Sequence, residues 1–140
     1  MTDCIRVVIA DDQPLVRSAL RLILEGDPDV TVLGEAADGQ GALDAARRLR
    51  PDIVLLDLHM PGRDGVWASE RISELAPGVR VLVLTAFDTD RLVSAALRAG
   101  AVGFLLKDSS SEQILEAVHD AADGERPFSA AVLDQLGAAT

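Results

Sequence analysis

Five short apolar runs recur along this chain: CIRVVIA (4–10), VTVLGEA (30–36), DIVLL (52–56), VRVLVL (79–84) and VGFLL (102–106). They are rich in Val, Ile and Leu and mostly continuous, which suits strands covered on both faces of a parallel sheet. A stretch with helical periodicity follows each one. Strict alternation of strand and helix implies right-handed crossovers and a three-layer α/β sandwich around a five-stranded parallel sheet.

The intervening segments carry their own start and stop signals. Pro14 fits the first turn of a helix, with Leu15, Ala19, Leu22 and Ile23 expected inward and Gly26 as the stop. Asp38 is placed to cap a second helix, with Ala42, Leu43, Ala46 and Leu49 inward and Pro51 at its end. After the Pro61-Gly62 loop, Asp64-Gly65 turns the chain into a third, with Ala68, Ile72 and Leu75 inward and a stop at Pro77-Gly78. Asp88 or Thr89 opens a fourth, with Leu92, Val93, Ala96 and Leu97 inward, closed by Gly100. Ser110 starts a fifth, in which Gln113 completes a capping box; Ile114, Val118 and Ala121 face in, and Gly124 ends it. Residues 1–124 thus form one domain, and 125–140 (ERPFSAAVLDQLGAAT) are expected to be a short helix or linker stub.

Composition narrows the functional classes. The chain has 140 residues, 49% hydrophobic and 26% charged, which is globular. No apolar run is long enough to span a bilayer, and no signal-peptide pattern opens the sequence. The single Cys4 excludes an internal disulfide framework, fits the cytoplasm, and reads as an apolar filler at a strand start. A net charge of −10 and only four aromatic side chains argue against unaided nucleic-acid binding. Of 13 basic residues, only Lys107 is lysine.

The residues just past each strand are more informative. Strand one ends at Asp11-Asp12, strand three at Asp57, strand four at Thr85 and strand five at Lys107. In an open parallel sheet, ligands bind beyond the carboxyl ends of the strands where strand order reverses, so these groups converge on one rim. Close carboxylates repel by roughly 4 kcal/mol per pair at an effective dielectric near 20. One ammonium offsets part of this, and an all-oxygen ligand set favours Mg²⁺ or Mn²⁺ over zinc. A nucleophilic carboxylate surrounded by metal, hydroxyl and ammonium suits phosphoryl transfer. Singly, each residue has a plainer alternative. Asp11-Asp12 can cap a helix, Asp57 can serve as a turn residue, Thr85 can end a strand and Lys107 can be a solvated terminus. Their conjunction favours a site.

The pieces IADDQPLVR, LLDLHMPGRDG, LTAFD and GAVGFLLKD, in that order and spacing, resemble the receiver domain of bacterial two-component response regulators. The segment GFLLKDSSSEQILEAVHDAADGE and the tail after it are most similar to the NarL/FixJ (LuxR-type) subclass. The resemblance implies the flavodoxin-like (βα)5 fold with strand order 2-1-3-4-5. It makes Asp57 the phosphoacceptor, with Mg²⁺ held by Asp12, Asp57 and the backbone carbonyl of His59, and by Asp11 through water. Thr85 and Lys107 would contact the acyl phosphate, and Phe104 holds the switch-aromatic position. The implied partners are a sensor histidine kinase and, once phosphorylated, a second copy of the chain. DNA would be reached only through a C-terminal domain absent here. The implied role is regulatory, not enzymatic, although such a domain promotes its own phosphorylation and dephosphorylation.

Two positions depart from the family. Asp108 follows the lysine where many relatives carry proline, so a cis peptide there is not assumed. Phe104 lacks the hydroxyl of the tyrosine found in other members, so any switch must work by packing. A haloacid-dehalogenase-type enzyme would need a second aspartate at the position of His59. A pseudo-receiver would lack acidic or lysine groups that are all present here. The second histidine, His119, is expected to be an exposed helical residue.

Overall fold

A computed structural model of the chain describes residues 4–60, 64–86 and 90–126. Strands and helices alternate: β1 (Ile5–Ala10), α1 (Pro14–Glu25), β2 (Val30–Ala36), α2 (Gly39–Leu49), β3 (Ile53–Leu56), α3 (Gly65–Leu75), β4 (Arg80–Thr85), α4 (Asp90–Arg98), β5 (Gly103–Leu106) and α5 (Ser111–Ala122). The strands are parallel in the order β2-β1-β3-β4-β5, the flavodoxin-like arrangement. Order reverses between β1 and β3, and that break positions the site.

Alternate side chains of the strands feed two cores. Val8, Ala10, Val54, Leu56, Val81, Val83 and Phe104 pack with α2, α3 and α4, which meet the sheet largely through alanines such as Ala42, Ala46, Ala68 and Ala96. Val7, Ile9, Ile53, Leu55, Leu82, Leu84 and Leu105 pack with α1 and α5 through Leu20, Leu24, Ile114 and Val118. Burying each large aliphatic side chain contributes about 1.5–3 kcal/mol. The caps expected at Asp38 and Ser110 form, Asp38 accepting from Gly41 N–H and Ser110 making a capping box with Gln113, and at the turn into α3 Asp64 accepts from Trp67 N–H. Gly100, at φ +93°, turns the end of α4 back, and a Cβ there would strike the Ser73 hydroxyl.

Several inward assignments change. In α1, Leu15 and Leu22 are 85% and 76% exposed, and Ala19 is also exposed. The buried positions are Leu20 and Leu24, flanked by partly buried Val16 and Ile23. This helix carries aliphatic residues around most of its circumference, so periodicity admits more than one inward arc. Arg17 and Arg21 select the arc by reaching Glu35 on β2 at 3.0 and 2.8 Å. Leu75, at the last turn of α3, is half exposed, and Cys4 is exposed rather than a filler. The expected opening of the fourth helix at Asp88 or Thr89, the Pro61-Gly62 loop and most of 125–140 lie outside the described residues, as do the side chains of Leu92 and Val93. Among the described residues no helix is long and apolar enough to cross a membrane.

Candidate functional site

The site is built by the hydrogen-bond ladder running one residue past the strands. Asp11 N–H donates to the Ala36 carbonyl at 3.0 Å, Asp57 N–H to Ala10 at 2.9 Å, and Lys107 N–H to Thr85 at 2.8 Å. Each functional side chain therefore starts from a backbone that the sheet still holds, although its own residue already lies in a loop. Glycine completes the frame at Gly65, where α3 begins. A Cβ there would fall on the Asp57 carbonyl oxygen and within 2.5 Å of the Leu58 Cα. Only a glycine lets α3 close against the turn that follows Asp57.

Lys107 Nζ lies 2.7 Å from Asp11 Oδ2 and 3.0 Å from Asp57 Oδ2, with those carboxylates only 2% and 5% exposed. Burial alone draws the ammonium toward its neutral form. The hydrogen bonds to Asp11 and Asp57 outweigh that effect, and the Lys107 pKa rises above the usual lysine value. The remaining oxygens are also engaged. Asp11 Oδ1 accepts the Gln13 N–H at 2.9 Å, and Asp57 Oδ1 accepts the His59 N–H at 3.1 Å. Arg17 Nη1 donates to the Asp11 carbonyl at 2.6 Å, a support that has no signature in the sequence.

Asp11, Asp12 and Asp57 each bring a carboxylate oxygen within 4.8 Å of the others. Asp12 is the exposed member, and with Gln13, Asp57, His59, Ala86 and Lys107 it lines a cleft of about 240 Å³. Donors that are all oxygens, two of them on buried carboxylates, fit a hard divalent cation such as Mg²⁺. Thr85 is fully buried, and among the described residues its Oγ1 is the one buried side-chain polar atom with no hydrogen-bond partner. An unpaired buried hydroxyl costs about 1–3 kcal/mol, which is tolerable where a ligand satisfies it.

All four strand-end positions thus meet at one rim. Phe104 lies deeper. It is fully buried on β5 opposite Val83, two steps along the ladder from the Thr85–Leu106 pair and on the same face of the sheet as Thr85. The Lys107–Asp108 peptide is trans. His119 is not a plain exposed residue. It is half-buried, with Nε2 2.8 Å from Asp27 Oδ2 at the opposite edge of the molecule. A contact between residues 92 apart leaves no mark in local sequence.

The family of response regulator receiver domains matches residues 7–119. An uncharacterized transcriptional regulatory protein of Bacillus subtilis, YxjL, is 44% identical over 126 residues, covering 90% of this chain and 58% of that protein. The nitrate/nitrite response regulator NarL of Escherichia coli K12 is 37% identical over 132 residues, covering 94% of this chain and 61% of that protein. The solved signal receiver domain of NarL from Mycobacterium tuberculosis superposes with a TM-score of 0.85 at 41% identity, covering 88% of this chain and 99% of that one. The chain therefore spans only about three-fifths of the length of these two curated relatives.

Proposed function

This chain belongs to the response regulator receiver domain family, with relatives of the NarL type, and from that premise we propose that Asp57 accepts a phosphoryl group from the phosphohistidine of a sensor histidine kinase. An Asp57 carboxylate oxygen attacks phosphorus. The P–N bond to the kinase imidazole breaks, and its electron pair stays on the departing nitrogen, which takes up a proton. Lys107 holds the acceptor and balances charge on the transferred group, and the Thr85 hydroxyl donates to one of its oxygens. Asp12, Asp57 and the His59 carbonyl would hold Mg²⁺, with Asp11 a step further out, and the ion supplies charge neutralisation for the phosphoryl group.

The observation that carries this reading is the contact of Lys107 with buried Asp57 at 3.0 Å, with a Thr85 hydroxyl at the end of the neighbouring strand that has no hydrogen-bond partner among the described residues. Phosphorylation adds about −1.5 to −2 charges at this point. Thr85 and Lys107 then move toward the new oxygens, and Phe104, sharing a sheet face with Thr85, repacks. The surface formed by α4, β5 and α5 shifts in population toward a state that favours dimerisation or controls a DNA-binding output domain. Residues 1–124 are the receiver unit, and 125–140 lead toward that output. In the full protein the result is regulation of transcription.

Incubation with Mg²⁺ and a small acyl-phosphate donor, followed by intact mass measurement, tests the acceptor. One phosphoryl group is expected on the wild type and none on Asp57→Ala. Absence of an adduct on the wild type, or the same adduct on the variant, overturns the assignment.

A further inference from the structure

At the edge where the strands begin, a second set of metal-ligating groups converges, and the phosphoacceptor chemistry uses none of it. His119, in the last turn of α5, reaches the turn between α1 and β2, where its Nε2 lies 2.8 Å from Asp27 Oδ2. The other oxygen of Asp27 accepts the Asp29 N–H at 2.9 Å, which bends the turn back on itself. One donor atom each from Asp27, Asp29 and His119 then lies within 4.8 Å of the other two. Asp29 and His119 face a cleft of about 490 Å³ that Cys4, Asp52 and Asp123 also line. Arg80 is the cationic side chain lining that cleft, and its guanidinium is committed to the Ala121 and Ala122 carbonyls at 2.7 and 2.8 Å.

We propose that Asp27, Asp29 and His119 form a second cation site, selective for a zinc-class divalent transition metal, which clamps the last turn of α5 to the α1–β2 turn. The donor set decides the class of ion. An imidazole nitrogen with carboxylates suits zinc and its neighbours, whereas Mg²⁺ prefers oxygens alone. Tetrahedral zinc with ligands at about 2.0–2.2 Å places them roughly 3.5 Å apart. Binding an ion replaces the 2.8 Å contact between His119 and Asp27, which opens to that spacing, while rotation of the exposed Asp29 side chain brings the third donor in. Three protein ligands leave the fourth position open to the cleft. The surroundings attract a cation, since Asp52 and Asp123 line the cleft and the negative end of the α5 dipole adjoins it.

Zinc titration of the full chain in excess Mg²⁺, read by calorimetry and by thermal unfolding, tests the site without reference to phosphorylation. The expected result is one zinc bound per chain and a raised melting temperature. Affinity should survive Asp12→Ala and fall at least about tenfold in both His119→Gln and Asp27→Asn, as for removal of a coordinating or orienting group. The proposal is overturned if zinc does not bind saturably, or if both variants bind it as tightly as the wild type. Loss of binding in Asp12→Ala also overturns it, because the ion then sits at the phosphoacceptor edge.

Discussion

The two edges of the sheet handle charge differently. At the carboxyl edge, Asp11 and Asp57 are almost wholly removed from solvent and share one ammonium. At the amino edge, Asp27 and His119 form a pair whose side chains remain 15% and 37% exposed. Buried carboxylates lose their hydration and depend on a cation, so truncating the partner is costly. Exposed pairs keep water as an alternative and contribute little to stability. A carboxyl edge that is held tight stores a demand for positive charge, which the proposed phosphoryl transfer would exploit. The amino edge holds its groups loosely enough to rearrange.

The sharpest difference lies in backbone packing. Gly65→Ala at the carboxyl edge should cost about 3 kcal/mol, because the added methyl meets backbone that cannot rotate away. Gly78→Ala, preceding β4 at the other edge, meets nothing within 4 Å and should change stability by less than about 1 kcal/mol. Urea unfolding of both variants measures this, and equal effects would remove the distinction.

Next in size, Lys107→Met leaves two buried carboxylates without their cation. A loss of about 2 kcal/mol is expected at neutral pH, reduced from the fully buried case by the 18% exposure of the lysine side chain. Mg²⁺ should restore more stability to this variant than to the wild type. The same ion pairs make a pH prediction. The folded pKa of Lys107 lies above its usual 10.5, so its contribution is complete below 10.5 and is lost as pH rises through the folded value. Alkaline unfolding of the wild type should show this limb, and Lys107→Met should lack it. A limb of equal depth in both would assign it to other groups.

The smallest effect belongs to the amino edge. In metal-free buffer His119→Ala should cost less than about 1 kcal/mol. The lowered Asp27 carboxyl contributes stability above its usual 3.8, and that contribution disappears as pH falls through the folded value. A larger loss in His119→Ala would mean that this pair is coupled as tightly as the one around Lys107.

Much of this was legible in residues 4–106 taken in order. Each predicted strand lies within one residue of the observed one, because continuous Val/Ile/Leu runs bounded by Gly, Pro and Asp leave few alternatives. The caps at Asp38 and Ser110 were equally readable, since capping is a contact between near neighbours. The inward face of α1 was not, because Leu15 and Leu22 fit helical periodicity as well as Leu20 and Leu24 do. Glu35, whose two arginine contacts orient that helix, comes from a different element. The burial of Phe104 matched its β-strand context, whereas the exposure of Cys4 ran against composition.

The sequence by itself determined the alternation of elements, the parallel sheet and the identity of the groups at the strand ends, because periodicity, turn chemistry and capping act over a few residues. Only the tertiary structure decided distances: that Lys107 lies between Asp11 and Asp57, that Thr85 is buried without a partner among the described residues, and that His119 meets Asp27. Those facts depend on how far apart separate strands and helices settle once packed. Close packing of side chains from distant elements sets that spacing, and no local pattern encodes it.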